Sequence, residues 1–208
     1  GCKYRCNFCA SSAYFKNKHF CRRVEDVVTE IKSQKRKLIF FVDDNIIANF
    51  QKAKDLFRAL IPLKIKWVSQ GSMDMLYDDE LMELMVKSGC LGLVIGFESI
   101  NEENLKNMNK GSNRQKKFDK YKREIEILRK WGLQTWAAFT VGHDEDTVES
   151  IKETCRFAIE NKFCFAAYNI LMPYPSTPLY EKLKEEGRLL YDGKWWLHDE
   201  YRFNYAAI

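Results

Sequence analysis

The stretch Leu38-Ile39-Phe40-Phe41-Val42-Asp43-Asp44-Asn45 decides the fold class of this chain. It is a short apolar run, rich in residues that favour strands, and it ends abruptly in three polar residues. A continuous apolar run of this length is typical of a parallel strand that is buried on both faces. We therefore predict a strand at 38–42 whose carboxyl end presents polar side chains.

The same order of strand and helix repeats along the chain. Before the first strand, apolar residues recur at helical spacing over 24–35. Further strands are predicted at 66–70, 91–97, 134–141 and 165–172, with helices between them and a last helix at 177–186. Asp146 is predicted to open the fourth intervening helix with a capping-box pattern. Alternating strands and helices predict an α/β fold with a parallel sheet and right-handed crossovers.

The length of the chain limits the choice of architecture. A closed eightfold barrel needs more than 208 residues. The pattern itself is compatible both with an open, doubly wound sheet and with a partial barrel.

Composition narrows the class of protein and its compartment. The chain is 46% apolar and 30% charged, as expected for one globular domain. It contains no apolar run of 18 residues or more and no signal-peptide pattern, so we expect no membrane span and no secretion. Seven cysteines, an odd number, argue against a disulfide framework and favour a reducing compartment, the cytoplasm.

The net charge of +5 is concentrated in one predicted helix and the residues before it. Its basic residues are Arg114, Lys116, Lys117, Lys120, Lys122 and Arg123. A polyanion such as nucleic acid is one partner for such a stretch. No aromatic or glycine-rich binding pattern accompanies the charge, so we favour a solvated helix face and do not expect nucleic-acid binding.

Three cysteines open the chain as Cys2-x-x-x-Cys6-x-x-Cys9. Three thiolates can hold a cubane iron–sulfur cluster and leave one iron open for a substrate or cofactor. The alternative is a structural zinc ion with His19 or Cys21 as the fourth ligand, in a non-enzymatic α/β binding module. The spacing is uncommon for zinc and favours the cluster.

The segment Cys2-Lys-Tyr-Arg-Cys6-Asn-Phe8-Cys9 resembles the signature of the radical S-adenosylmethionine (SAM) enzymes. Segments 41–45, 92–99 and 172–180 resemble the branch of that family that commonly carries an N-terminal cobalamin-binding domain. The resemblance implies a partial (β/α)6 TIM-like barrel, a [4Fe-4S] cluster on the three cysteines, and reductive cleavage of SAM to a 5′-deoxyadenosyl radical. It also implies an electron donor such as flavodoxin or ferredoxin and a small-molecule or lipid substrate.

Polar residues follow four of the predicted strands and are expected to face one space, because ligands collect beyond the carboxyl ends of parallel strands. They are Asp43, Asp44 and Asn45, then Ser69 and Gln70, then Glu98 and Ser99, and finally His143 and Asp144. We predict that Asp43, Asp44, Ser69, Gln70 and Glu98 contact SAM.

The resemblance implies a role for some of these residues. Asp43 and Asp44 stand where many relatives have a Gly-Gly-Glu segment that contacts the SAM amino group, Glu98 matches a position that binds the ribose, and Phe8 matches one near adenine. The alternatives are structural: the two aspartates cap a helix near Asn49, and Phe8 is a core aromatic residue.

The ends of the chain carry two further expectations. We predict a radical SAM core at 1–186 and a separate, truncated, aromatic-rich extension at 187–208, and we expect the first strand of the barrel to lie before Gly1. The chain lacks an Asp-x-His-x-x-Gly cobalamin motif. Methyl transfer through cobalamin is therefore expected only in a longer protein.

Overall fold

A computed structural model describes residues 1–110, 118–197 and 208 of the chain. Its five strands are β1 (Leu38–Phe40), β2 (Lys66–Gly71), β3 (Cys90–Glu98), β4 (Gln134–Val141) and β5 (Phe165–Ile170). They form one sheet in the order β1-β2-β3-β4-β5, and each neighbouring pair is parallel. The predicted parallel α/β sheet is confirmed.

The helices are α1 (Ala10–Tyr14), α2 (Val24–Gln34), α3 (Phe50–Leu60), α4 (Asp79–Lys87), α5 (Glu102–Asn107), α6 (Phe118–Lys130), α7 (Val148–Glu160) and α8 (Pro178–Glu185). Two of them, α1 and α5, are absent from the sequence prediction. They contain 5 and 6 residues, too few to establish an apolar period.

The strand that was expected at 38–42 is shorter in the structure, and the expectation that it is buried on both faces is wrong. It lies at the edge of the sheet, where Leu38 and Phe40 are 62% and 56% exposed. Phe41 N still donates to Val68 O at 3.0 Å, but the regular ladder ends at Phe40, and Val42 is 80% exposed. The chain therefore leaves the sheet before the aspartates. This early exit gives Asp43 and Asp44 different surroundings, which are described below.

Helix capping differs from the sequence prediction at two places. Asn49 itself caps α3, its side chain accepting from Lys52 N at 3.0 Å, so neither Asp43 nor Asp44 is the cap. At α7 the capping box joins Thr147 and Ser150, one residue later than predicted. Asp146 instead accepts bonds from the backbone of Gly142 and His143 and closes the turn after β4.

The core lies between the helices and one face of the sheet. On that face Phe97 and Phe139 are fully buried and stack with ring centroids 5.8 Å apart, and Tyr121 of α6 packs edge-on against Phe97 at 5.2 Å. Side chains alternate between the faces of a strand. Burial of Phe97 and Phe139 therefore sends the next residues, Glu98 and Thr140, to the other face.

Helix α6 turns its apolar side to the core, because Tyr121, Ile125 and Leu128 are all almost fully buried. Lys120, Lys122 and Arg123 are exposed beside them, in agreement with a solvated basic face. The remaining basic residues named above, Arg114, Lys116 and Lys117, lie outside the described residues, as does the aromatic stretch 201–205. The domain boundary at 186 and a strand before Gly1 stay predictions.

Candidate functional site

The cysteine loop is anchored to two distant parts of the chain. Asn7 N donates to Met108 O at 3.0 Å, and Asn7 Nδ2 donates to Asn107 O at 2.7 Å. On its other side, Leu179 N donates to Asn7 O at 3.0 Å. The residues after α5 and the start of α8 thus hold the loop between Cys6 and Cys9, which pre-organises the two thiols.

All three cysteines of the motif are half-buried and free. Burial raises the pKa of Cys6 to about 11, and the positive charge of Lys110 opposes that rise. Since iron binds the thiolate, ligation has to displace the proton of this thiol. Three soft sulfur donors on one short, anchored loop fit an iron–sulfur cluster in the chemistry of the ligand set.

Asn45 connects the first cysteine to the sheet. It is 3% exposed, and its Nδ2 lies 3.8 Å from Cys2 Sγ and 2.9 Å from Ser72 Oγ. Ser72 in turn donates to Asp74, which also binds Lys3 at 2.9 Å. The sequence pattern placed Asn45 at a strand end but did not reveal this network, because its members come from three separate segments.

Asp43 and Asp44 point into different surroundings. Asp44 faces the cysteine loop, accepting a 2.7 Å hydrogen bond from Ser11 Oγ and lying 2.7 Å from the nitrogen of Gly1. Asp43 is exposed and lines a groove of about 730 Å³ together with His19 and Cys21.

Ser69 and Gln70 follow one another on β2 and therefore face opposite sides of the sheet. Ser69 is fully buried on the core side, and its hydroxyl donates to Phe41 O at 2.8 Å. This bond ties β2 to the end of β1. Gln70 is half-buried, and its backbone carbonyl accepts a hydrogen bond from Ile46 N at 3.0 Å. Contacts of either residue with SAM stay predictions.

Glu98 ends β3 with a backbone φ of 64° beside an irregularity in the pairing with β4. Its carboxylate forms an ion pair with Lys110 and accepts a 2.8 Å hydrogen bond from Thr140 Oγ1. A Cβ on Gly96 would collide with both Glu98 Oε1 and Lys110 Nζ, so glycine leaves the space that this pair occupies. The sequence pattern missed Lys110 and Thr140.

Phe8 and His143 are both half-buried. The half-buried ring of Phe8 packs against the core, as its structural alternative predicted, and its contact with adenine stays a prediction. His143, after β4, has a pKa lowered by burial, against the opposing charges of Asp146 and Glu98. Its Nε2 is buried and has no hydrogen-bond partner among the residues that the structure describes.

The zinc alternative depends on His19 and Cys21. Cys21 Sγ lies 3.6 Å from each ring nitrogen of His19, and both residues line the groove beside Asp43. Within the described parts of the chain, no three His, Cys, Asp or Glu side chains are grouped so as to hold a single metal ion. Zinc binds its ligands at one ion, whereas a cubane takes each thiolate on a different iron atom.

Comparison with known proteins adds evidence from outside the chain. Residues 1–158 match the model of the radical SAM superfamily. The chain is 32% identical over 209 residues to bacteriochlorophyllide d C-12(1)-methyltransferase of Chlorobaculum tepidum, covering 98% of this chain and 44% of that protein. It is 27% identical over 202 residues to hopanoid C-2 methylase of Rhodopseudomonas palustris, covering 92% of this chain and 38% of that protein.

The fold is also found in solved structures. The radical SAM methyltransferase TsrM from Kitasatospora setae, with cobalamin and a [4Fe-4S] cluster bound, superposes with a TM-score of 0.79 at 18% identity. The match covers 91% of this chain and 36% of that chain. The five strands therefore form a curled half-barrel of the partial TIM-like type, which confirms the predicted fold class.

These comparisons give no support to a non-enzymatic zinc module. They confirm the resemblance noted in the cysteine motif, and they confirm a [4Fe-4S] cluster and SAM as the cofactors of the family. The chain spans less than half the length of the two curated relatives described. The family model matches 158 of the 208 residues, and the cysteine loop and the parallel half-barrel agree with that match. This chain therefore belongs to the radical SAM superfamily.

Proposed function

We propose that this chain is the core of a radical SAM enzyme that transfers a methyl group or functionalises a C–H bond. The observation that carries the proposal is the position of the cysteine loop beside two carboxylates, Asp44 and Glu98, of which the first follows β1 and the second ends β3 of one parallel sheet. Carboxylates at strand ends next to three anchored thiols are the groups that SAM and a cluster would require.

The ligands of the cluster in this proposal are Cys2, Cys6 and Cys9. When bound, the cluster supplies the electron that cleaves the carbon–sulfur bond of SAM. The residues of the chain bind and orient the two cofactors and exclude water around them. Asn45 supports the assignment of Cys2 as a ligand, because its side chain places an N–H donor beside Cys2 Sγ.

The proposed SAM contacts use charge and shape. Asp44, oriented by the hydrogen bond from Ser11 Oγ, offers an acceptor to the ammonium group of SAM. Glu98, fixed by Lys110 and Thr140, offers an acceptor to the ribose hydroxyls. Asp43, Ser69, Gln70 and Phe8 complete the proposed set. Asp43 is peripheral because it is exposed, and Ser69, buried on the core side, supports the set through its bond to Phe41 O.

Methyl transfer is the reaction named in two of the relatives, the bacteriochlorophyllide methyltransferase and the hopanoid methylase. Because the chain spans only 44% and 38% of those proteins, cobalamin would be bound by residues outside these 208. We propose a small-molecule or lipid substrate. We also infer a core at 1–186 followed by a separate aromatic-rich extension.

Reduction of the cluster requires a protein electron donor such as flavodoxin or ferredoxin, which we infer as the partner. All seven cysteines are free, in keeping with work in the cytoplasm. No helix among the described residues is long and apolar enough to cross a membrane.

The test is cleavage of SAM by the intact protein after anaerobic reconstitution with iron and sulfide. We expect 5′-deoxyadenosine or S-adenosylhomocysteine to form with a chemical reductant in wild type and in Cys21→Ala. Cys6→Ala should form neither product. Equal product formation by Cys6→Ala and wild type would refute the proposal.

A further inference from the structure

Lys110 is held next to the cysteine loop by the segment that precedes it. Residues 107–109 bond to the loop at three points: Asn7 Nδ2 to Asn107 O, Asn7 N to Met108 O, and Asn109 Nδ2 to Arg5 O at 3.0 Å. Arg5 and Asn7 flank Cys6. The backbone leading to Lys110 is therefore fixed against the residues on both sides of one proposed cluster ligand.

The side chain of Lys110 is enclosed. It is 13% exposed, and its only carboxylate partner among the described residues is Glu98, itself 11% exposed. Both groups fill the space that Gly96 leaves open on β3. Burial works against a charged lysine, but Glu98, Cys6 and Cys9 more than offset it and raise the pKa of Lys110. The ammonium group thus stays charged where a neutral group would be easier to bury.

We propose that Lys110 is a fixed counter-cation of the cluster, which raises the reduction potential of the cluster because its segment is held against the cysteine loop. The inference rests on the proposed function and deepens it by assigning a positioning residue. A cubane on three thiolates is anionic, and reduction adds one negative charge. A buried cation nearby stabilises the reduced form more than the oxidised form.

Glu98 has the opposite sign at the same place. Its carboxylate lies in the same enclosed ion pair as the Lys110 ammonium, so it presents a negative charge where Lys110 presents a positive one. The two residues therefore act on the loop with opposed electrostatic effects. Replacing Lys110 and Glu98 in turn by neutral residues should therefore shift the reduction potential of the cluster in opposite directions. A loss of packing at this place would not produce shifts of opposite sign.

The experiment measures the midpoint potential of the cluster in the intact, reconstituted protein by an EPR-monitored redox titration without SAM. Lys110→Met should shift the potential to more negative values, and Glu98→Gln should shift it to more positive values. Lys110→Arg keeps the charge and should stay near wild type. Lys106→Met is the matched control, since Lys106 lies on α5, is 55% exposed and pairs with Glu103.

The outcomes separate this inference from the proposed function. If Lys110→Met does not hold a cluster, Lys110→Gln replaces it as the neutral variant. A potential equal to wild type in the neutral variant overturns the inference, and so do shifts of the same sign in the Lys110 and Glu98 variants. Failure of wild type itself to hold a cluster would instead refute the proposed function.

Discussion

Thr140 Oγ1 of β4 donates a 2.8 Å hydrogen bond to Glu98 Oε2 of the neighbouring strand β3. The bond forms because the pairing of β3 with β4 is irregular between Gly96 and Glu98, and Glu98 takes a left-handed backbone conformation there. Thr140 therefore fixes the direction of a carboxylate that we propose binds the ribose of SAM.

Replacing Thr140 by valine removes this donor and keeps the shape of the side chain. A hydrogen bond to a charged group contributes about 1.5–3 kcal/mol, so we expect the Kd for SAM to rise by roughly tenfold or more. Isothermal titration calorimetry on the reconstituted protein measures it. Thr140→Ser keeps the hydroxyl and should bind SAM as wild type does. An unchanged Kd in Thr140→Val would contradict the role of Glu98.

Asp43 and Asp44 offer a matched pair of variants. Asp44→Asn removes a carboxylate that faces the cysteine loop, so SAM affinity should fall by about tenfold, the loss of one charge-assisted bond. Asp43→Asn should have a smaller effect, because Asp43 is exposed in the neighbouring groove. Iron content should be the same in both. A larger loss of affinity in Asp43→Asn would show that the two assignments are reversed.

The burial of His143 predicts how the stability of the protein depends on pH. Burial lowers its pKa in the folded protein, so the unfolded chain binds more protons as the pH falls through its ordinary value of about 6.5. The contribution of His143 to stability is thus present above that pH and lost below it.

Thermal unfolding at about pH 7.5 and about pH 5.5 measures this effect. Wild type should lose more of its Tm on acidification than His143→Gln, which has no group to titrate in this range. His19 also has a lowered pKa but is retained in both proteins, so it cancels in the comparison. An equal loss of Tm in the two proteins would show that His143 is not the group responsible.

The sequence was sufficient for the parallel α/β architecture and for the family. Apolar runs such as 91–97 are typical of strands in a parallel sheet, and the polar residues that follow such strands gather at one end of the sheet. The cysteine spacing was specific enough to indicate the family. Each of these signals is local, and each lies within a stretch of about ten residues or fewer.

The finer arrangement of the site could not be predicted because it depends on contacts between distant segments. Lys110 reaches Glu98 only after α5 and its following turn bring the chain back, and no periodic pattern marks that return. Asp43 and Asp44 are equivalent in sequence. Their side chains diverge because β1 ends at Phe40 and the backbone turns before them.

The most direct test of the account is metal analysis of the protein after anaerobic reconstitution, in wild type and in four cysteine variants. We predict about four iron and four sulfide per chain in wild type and Cys21→Ala. Cys2→Ala, Cys6→Ala and Cys9→Ala should each lose the brown chromophore. Stoichiometric zinc that depends on Cys21 or His19, without iron, would contradict the assignment of this chain as a SAM-cleaving enzyme core.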